Sequence, residues 1–364
     1  MARKALLATV WGALALAWAQ AAAAQQPPSG TWRFLAAGDS RNCGDVVMPA
    51  IAKTAKRNNV AFYWHLGDLR AIANFDEDIQ HQPEHRARPL SLVEYLNAAW
   101  PDFIENQVGP FGAIPFFIAI GNHETVAPMK TREDFLLQFS DWLNTPLLRV
   151  QRLRDDPRDH RLKSYFHWKN RGVAFYSLDN ATLDQFDPAQ MRWFERVLAR
   201  DSADPAVTTI VVGMHRPLPD SISASHGMNE SAVGIESGRR VYASLLRAQN
   251  QARKRVYVLS SHSHYFMEGI FNTETWKQNG GVLPGWIVGT AGAVRYALPP
   301  GSPEARQAMT NVYGSLMGTV LPGGEIRFAF QKLAAADVPA EVTSRYGEEF
   351  VRWCFQENTQ VPRQ

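Results

Sequence analysis

The chain carries little net charge. The balance is +3 over 364 residues, and no long run of basic residues occurs. This composition gives no reason to expect nucleic acid as a partner. The sequence also lacks an internal repeat, and alanines near the N-terminus form its only low-complexity tract. What remains is the composition of an ordinary globular protein, with 45% hydrophobic and 11% aromatic residues.

Cysteine is scarce, since only Cys43 and Cys354 occur. In an exported protein both would lie in an oxidising compartment, where they could pair. Such a bond would tie the loop after the first predicted strand to the C-terminal tail. It requires the two Cα atoms to come within roughly 7 Å of each other, which the sequence leaves open.

Long apolar stretches are also scarce. The one at the N-terminus covers about residues 5–19, follows two basic residues and precedes three alanines at 22–24. This pattern predicts a signal peptide over 1–24, a linker over 25–30, and a periplasmic or secreted protein. A retained membrane anchor is the competing interpretation, but the stretch is short for a span of about 20 residues and no second span follows. We therefore expect no stable membrane anchor.

The rest of the chain is long enough to bury a large core. We predict one domain over 31–335, with an inserted segment at 71–110, and a C-terminal tail over 336–364. The insertion interrupts the alternation of strands and helices, so we expect it to lie over the mouth of a pocket. Its His81 and His85 have the spacing of a metal clamp on a helix. Pro83 between them and many charged neighbours favour a solvated loop instead.

Five short apolar runs each end at polar side chains. The runs begin near Trp32, Val60, Phe116, Thr208 and Val256, and they predict buried strands. A helix predicted over Val46–Arg57 makes the first two strands parallel neighbours. Ligands in such sheets collect at the carboxyl ends of the strands. The polar residues at these ends are Asp39, Asp68, Asn122, His123, His215, His262 and His264.

Other patterns predict further elements. Apolar spacing indicates helices over Met129–Leu143 and Tyr242–Ala252, and Asp187-Pro188 is typical of a helix start. Two hairpins are predicted around glycine-containing turns at 169–172 and 322–324.

The side chains at the strand ends form a mixed set of oxygen and nitrogen ligands, which suits Zn, Mn or Fe. The set contains no thiolate, which argues against a closed structural zinc site. Two metal ions about 3.5 to 4 Å apart would share one aspartate and a hydroxide. Sharing would lower the pKa of that water and align it for attack on phosphorus.

The ordered motifs resemble a known family. Gly-Asp at 38–39 and 67–68, Gly-Asn-His-Glu at 121–124, a lone histidine at 215 and His-x-His at 262–264 are similar to those of the calcineurin-like metallophosphoesterases. The layout is closest to the purple acid phosphatase branch. The resemblance spans about Thr31 to Phe330, and it implies an α/β fold: a four-layer αββα sandwich of two mixed β-sheets flanked by helices, with two divalent or trivalent metal ions.

The resemblance also implies roles for individual residues. Asp39 and His264 would hold the first metal ion, and Asp68 would bridge both ions. Asn122, His215 and His262 would hold the second. His123 would stabilise the transition state or protonate the leaving oxygen, and Glu124 could orient it.

The sequence departs from the branch at two places. Arg41 stands where the first motif often has histidine, and Ala71 stands where the purple branch has tyrosine. Both changes predict weaker binding of the first ion, and the loss of tyrosine predicts no charge-transfer colour. Arg41 is either a phosphate-binding residue or an ordinary surface or salt-bridged arginine. His226, in a loop after a ligand strand, is a second candidate for substrate binding, although most histidines so placed do no chemistry.

These observations predict an exported, metal-dependent phosphoesterase that resembles acid phosphatases and acts on a small-molecule phosphate ester. One alternative is a phosphodiesterase or nucleotidase on the same fold. Another is a catalytically silent protein that binds metal or phosphate. The natural substrate, the identity of the metal, the pH optimum and the oligomeric state are left open.

Overall fold

The computed structural model describes residues 30–181, 185–223 and 226–361. The predicted signal peptide at 1–24, and all of the predicted linker except Gly30, lie outside these ranges. Among the described residues, no helix has both the length and the apolarity that crossing a membrane requires.

The strands within the described residues have the following bounds: β1 Trp32–Ala37, β2 Tyr63–His65, β3 Phe116–Ile118, β4 Phe166–Asn170, β5 Val173–Ser177, β6 Thr209–Gly213, β7 Arg255–Ser260, β8 Phe266–Glu268, β9 Gly285–Val288, β10 Gln307–Met309, β11 Tyr313–Val320 and β12 Ile326–Leu333. The α-helices are α1 Gly44–Arg57, α2 Glu77–Gln80, α3 Pro83–Arg86, α4 Leu92–Asp102, α5 Arg132–Gln138, α6 Ser140–Leu143, α7 Pro146–Asp155, α8 Pro188–Ala203, α9 Ala232–Asn250, α10 Glu274–Gln278, α11 Ala340–Tyr346 and α12 Glu348–Gln356.

The strands form two mixed sheets. The first has the order β12-β11-β1-β2-β3, and β1, β2 and β3 run parallel. The second has the order β10-β8-β9-β7-β6-β5-β4, in which β5, β6, β7 and β9 are parallel. In the first sheet Ala37 pairs with His65, and His65 with Ile118. The parallel strands therefore end side by side, and the polar residues that follow them emerge at one edge.

The two sheets pack face to face through aromatic side chains. Phe117 stacks on Trp168 with ring centroids 4.2 Å apart, and Phe34 meets Phe175 edge-on at 5.3 Å. The sheets approach so closely at Gly213 that a Cβ atom there would lie 2.2 Å from the Trp64 ring. Such aromatic pairs add about 0.5–1.5 kcal/mol each beyond the apolar area that they bury. The two sheets are thus joined by a core of closely packed aromatic side chains.

Helices cover both outer faces. α1 packs against β11 of the first sheet, while α9 packs against β7 of the second and contacts α8. The predicted apolar face of α1, formed by Val47, Ile51 and Ala55, is fully buried. The layers run helix, sheet, sheet, helix, which confirms the predicted αββα sandwich.

Two predicted helices have other bounds in the structure. The helix expected over Met129–Leu143 is divided into α5 and α6, with Phe139 between them outside helical geometry. The helix expected from Tyr242 begins ten residues earlier, because the Ser231 side chain accepts a hydrogen bond from the Gly234 N–H and caps it. Both predicted hairpins form, as β4–β5 and β11–β12. The Asp187 side chain caps α8, as Asp187-Pro188 predicted.

The inserted segment 71–110 folds against the sandwich through one buried cation. The Arg70 guanidinium donates to Asp78 at 2.9 Å and to Asp45 at 2.5 Å, and it also contacts Asp102. Arg70 and Asp45 are almost completely buried, so these charges are shielded from water. His81 is exposed and stacks on the Phe350 ring at 4.1 Å, a contact unlike that of a metal ligand.

Cys43 and Cys354 form a disulfide with Cα atoms 5.9 Å apart. The pairing that the sequence left open is therefore made. Helices α11 and α12 of the predicted tail bury Tyr346, Phe350 and Val351 in the same core cluster as the first sheet. The C-terminal segment thus packs against the loop that follows β1.

Candidate metal centre

Three of the predicted ligands have left-handed backbone conformations. The φ angles are 61° at Asp39, 57° at Asp68 and 67° at His262. Such conformations cost of order 1–3 kcal/mol each for residues other than glycine and persist where surrounding contacts hold them. The Asp39 N–H donates to the Gly67 carbonyl at 2.9 Å, and the His262 N–H donates to the Asp39 carboxylate at 2.7 Å. The turns after β1, β2 and β7 therefore hold one another.

Gly121 lets the third strand end come close to Asp68. A Cβ atom at Gly121 would lie 2.3 Å from both the backbone nitrogen and the Oδ1 atom of Asp68. Only glycine fits there, because every other residue would clash with the carboxylate. The Gly-Asn-His-Glu motif consequently delivers Asn122 and His123 beside Asp68, and the His123 N–H donates to Asp68 Oδ1 at 3.0 Å.

His215 is the centre of one ligand group. Its Nδ1 lies 3.0 Å from the Leu66 carbonyl oxygen, which can only accept, so Nδ1 carries a proton. Its Nε2 lies 3.2 Å from Asp68 Oδ1, 3.0 Å from Asn122 Oδ1 and 3.0 Å from His262 Nδ1. Burial lowers the pKa of His215, but Asp68 outweighs it and raises the pKa, so this cluster of acceptor atoms favours a cation, either a proton on Nε2 or a metal ion.

This group fits a metal ion. The ligand atoms of Asp68, His215 and His262 all lie within 4.8 Å of one another. Burial lowers the pKa of His262 well below its usual range, which keeps the imidazole neutral and able to bind metal. Burial opposes ionisation of Asp68, but His215 and His123 outweigh it and hold the pKa of that carboxyl well below its usual value. Carboxylate, amide and imidazole ligands together suit Zn, Mn or Fe.

The group predicted for the first ion differs. His264 Nδ1 lies 2.6 Å from the Val294 carbonyl oxygen, so its Nε2 offers a lone pair, 3.2 Å from Asp39 Oδ1. Arg41 Nη2 lies 3.0 Å from that same Nε2. Of the ligand atoms predicted for the first ion, His264 Nε2 is therefore engaged by a guanidinium, whereas Asp39 Oδ1 is buried without a hydrogen-bond partner among the described residues. The side chain of Arg41 is only 11% exposed, which excludes the interpretation as a surface arginine.

His123 lies between the two groups. Its Nδ1 contacts the carbonyl oxygen of Ala71 and its Nε2 contacts Arg41 Nη1, while Nε2 is 3.8 Å from Asp68 Oδ2. Burial lowers the pKa of His123. The structure thus brings this predicted catalytic residue next to the predicted bridging carboxylate.

Glu124 does not orient His123. Its two carboxylate oxygens accept hydrogen bonds from the backbone N–H groups of Asp68 at 3.0 Å, Leu69 at 2.9 Å and Gly121 at 2.7 Å. Burial and the charge of Asp68 raise the pKa of Glu124 to about 8. Its contacts hold the turns that carry Asp68 and Asn122 against each other.

Two further side chains line the rim. The His226 ring lies 5.7 Å from the His262 ring and 5.5 Å from the Tyr296 ring. Tyr296, which the sequence motifs missed, stacks on His264 at 4.0 Å. The only signal for Tyr296 is its position after the glycine-rich exit of β9, since it belongs to no motif.

Comparisons with known proteins agree with this geometry. The family model of the calcineurin-like phosphoesterase matches residues 33–266, more than half of the chain. No curated protein matches. Among solved structures, PhoD is 14% identical with a TM-score of 0.50, over 84% of this chain and 72% of its own. A dimetal phosphatase from Danio rerio is 12% identical with a TM-score of 0.48, over 83% and 99%. A family match of this extent shows that the chain is a hydrolase that acts on phosphoric esters and that it belongs to the calcineurin-like phosphoesterase family.

Proposed function

We propose that this chain is an exported, metal-dependent phosphoesterase that hydrolyses small-molecule phosphate monoesters in the manner of an acid phosphatase. The observation that carries the proposal is the convergence of Asp68, Asn122 and His262 on the Nε2 atom of His215. His123 lies beside this group, and Arg41 supplies a buried positive charge next to it. Together these features suit the binding of a dianionic phosphoryl group.

The residues of the candidate centre have separate roles in the proposed reaction. A divalent ion would be held by Asp68, Asn122, His215 and His262, and when bound it would supply Lewis-acid polarisation of a phosphoryl oxygen and acidify water. The Ala71 carbonyl fixes the His123 ring through Nδ1, and Nε2 accepts from Arg41 in the free protein. When a bound phosphoryl group draws this N–H of Arg41 to itself, Nε2 would take up a proton and pass it to the leaving oxygen.

Arg41 and His226 contribute to substrate binding. The Arg41 guanidinium presents N–H groups that can bind phosphoryl oxygens in pairs, and its charge does not titrate in the physiological range. His226 stands at the opposite side of the His262 ring, where it would contact the organic part of the ester.

Two features support the proposed export of the protein. The N-terminal pattern over 1–24 is typical of a signal peptide, and the disulfide between Cys43 and Cys354 is of a kind that persists in oxidising compartments. Cell fractionation followed by sequencing of the mature N-terminus tests it, with a start near Gln25 as the expected result.

The chemical proposal is tested by steady-state kinetics on a panel of phosphomonoesters, phosphodiesters and nucleotides. The protein is stripped of metal and reconstituted separately with Zn, Mn or Fe. We expect hydrolysis of monoesters that depends on added metal and disappears in Asp68→Asn. Faster turnover of diesters or nucleotides would instead identify a phosphodiesterase or nucleotidase. Metal binding without turnover of any ester would identify a silent binding protein.

A further inference from the structure

We propose, on the basis of the proposed function, that the centre holds one metal ion, bound by Asp68, Asn122, His215 and His262. The guanidinium of Arg41 takes the place of the second metal ion that the family motifs predict. Arg41 is then a permanent organic cation in a site that the motifs predicted to hold two metal ions.

Two of the contacts of Arg41 are with residues predicted to hold the first ion, His264 and Asp68. Its Nη2 donates to His264 Nε2 at 3.0 Å, and its Nη1 contacts His123 Nε2. Its Nε lies 4.0 Å from Asp68 Oδ2, the carboxylate predicted to bridge two ions. Each of these ring nitrogens is the unprotonated one, because the opposite nitrogen faces a carbonyl oxygen, of Val294 for His264 and of Ala71 for His123. The guanidinium therefore uses the lone pairs that a metal ion would require.

The charge balance points the same way. Arg41 Nε lies 4.0 Å from Asp68 Oδ2 and both side chains are largely buried, so the charge of Arg41 is compensated by a carboxylate that would otherwise bridge to the first ion. An ion placed between His264 and Asp39 would face a fixed positive charge at contact distance. Arginine cannot release a proton to relieve that repulsion, whereas histidine in the same position could offer a lone pair.

The backbone on both sides of Arg41 is held in place. The Asn42 N–H donates to Asp76 at 2.7 Å, and the Asn42 side chain donates to Glu77 at 2.5 Å. Cys43 is bonded to Cys354. Arg41 is thus attached to a segment that the inserted helices and the C-terminal helix both hold, which opposes withdrawal of its side chain from the centre.

Tyr296 lies beside the same group. Its ring stacks on His264 at 4.0 Å, and Arg41 contacts the Nε2 atom of that histidine. The tyrosine that the purple branch supplies three residues after the bridging aspartate is replaced here by Ala71, whose carbonyl instead holds His123.

The test is a measurement of metal stoichiometry, which does not depend on activity. Full-length protein is stripped, incubated with excess Mn²⁺, dialysed and analysed by mass spectrometry of the metal. We expect about one Mn²⁺ per chain and a six-line electron paramagnetic resonance spectrum of an isolated ion. Arg41→His restores the imidazole of the family motif and is expected to raise the count to about two, with the spectrum of a coupled pair.

Arg253→His is the matched control, because Arg253 is exposed and precedes the start of β7, whereas His262 and His264 follow the other end of that strand, and it is expected to leave the count at about one. Two ions per wild-type chain with a coupled spectrum would overturn the inference while leaving the proposed function intact. Absence of bound Mn²⁺, Zn²⁺ and Fe in the wild type would overturn both. If Arg41→His does not fold, the wild-type count and spectrum decide the question alone.

Discussion

The carboxylate of Glu124 accepts a hydrogen bond from the main-chain N–H of Asp68 at 3.0 Å. The same carboxylate also accepts from Leu69 and Gly121, so one buried side chain fixes the turns after β2 and β3 relative to each other. Replacing one carboxylate oxygen by an amide nitrogen while keeping the shape isolates this function, because the amide presents an N–H₂ group to at least one backbone donor.

Glu124→Gln should therefore weaken metal binding and activity together. Loss of an outer hydrogen-bond partner of a metal site typically costs about 10–100-fold in affinity or activity. Titration with Zn²⁺ followed by calorimetry measures the first effect, and kcat/KM measures the second. Glu133→Gln, at an exposed position of α5, should change neither. An unaltered Zn²⁺ affinity in Glu124→Gln would show that these backbone contacts do not position the ligands.

His123→Ala should lower kcat in a manner that depends on the leaving group. A positioned acid contributes about 10²–10⁴-fold, and its contribution is largest where the leaving oxygen is most basic. We therefore expect a large loss with an alkyl phosphate and a smaller one with p-nitrophenyl phosphate. His160→Ala, at an exposed position, is the control. Equal losses with both esters would assign His123 to stabilisation of charge rather than to proton transfer.

Arg70→Met should destabilise the protein strongly without touching the metal centre. It leaves Asp45, Asp78 and Asp102 near one another without their shared cation, and breaking a buried charge network in this way costs about 3–5 kcal/mol. Arg88→Met removes an arginine that is 80% exposed, and its solvent-screened pair with Glu94 should contribute little to stability. The free energy of unfolding in urea measures both. Similar losses for the two variants would contradict the role assigned to Arg70.

His167 should make stability depend on pH. Burial lowers the pKa of His167, but hydrogen bonds with Asp155 at 3.0 Å and Asp201 at 2.8 Å outweigh burial and raise it. A raised pKa in the folded state gives stability that is complete below the ordinary histidine pKa of about 6.5 and is lost as the pH rises through the higher folded value. Because His167 interactions also lower the pKa of Asp201 to about 2, the carboxylate side of the pair persists down to acid pH.

The free energy lost in His167→Gln should accordingly be larger at pH 5.5 than at pH 9. Urea unfolding of the wild type and the variant at both pH values gives the comparison. His85→Gln, on the short helix α3, serves as the control and should show no such difference. A loss that is the same at both pH values would mean that His167 contributes only as a neutral, packed ring.

Replacing Cys43 and Cys354 together by serine should lower stability by about 2–5 kcal/mol, because the disulfide constrains the unfolded chain. The bond joins residues 311 positions apart. Urea unfolding of the oxidised wild type, the reduced wild type and the double variant measures the effect. The last two should agree, and a double variant as stable as the oxidised wild type would contradict the prediction.

The sequence predicts the elements that depend on local pattern. Short apolar runs that stop at polar side chains identified the ends of β1, β2, β3, β6 and β7, and so the ligands that these ends carry. The layout of the sandwich came from the family resemblance. The start of α9 was missed because its cap, Ser231, lies in a stretch rich in serine and glycine that resembles a loop.

What the sequence could not predict are contacts between distant residues. Arg41 and His264 are 223 positions apart, and no pattern relates them. The same holds for Tyr296, whose place beside His264 follows from the packing of the segment after β9. Arg41 differs from the residue that the family motif has at this position, so the sequence indicated that the metal site is altered there. Only the three-dimensional arrangement shows which atoms the guanidinium contacts.

The left-handed backbone at Asp39, Asp68 and His262 restricts how this centre can be engineered. A designer who wishes to change its metal preference must choose a replacement that tolerates positive φ before considering which atom it donates. Asparagine meets that requirement at all three positions, whereas threonine and other β-branched residues do not. Libraries built at these sites should therefore be dominated by asparagine, aspartate, histidine and glycine among the variants that fold.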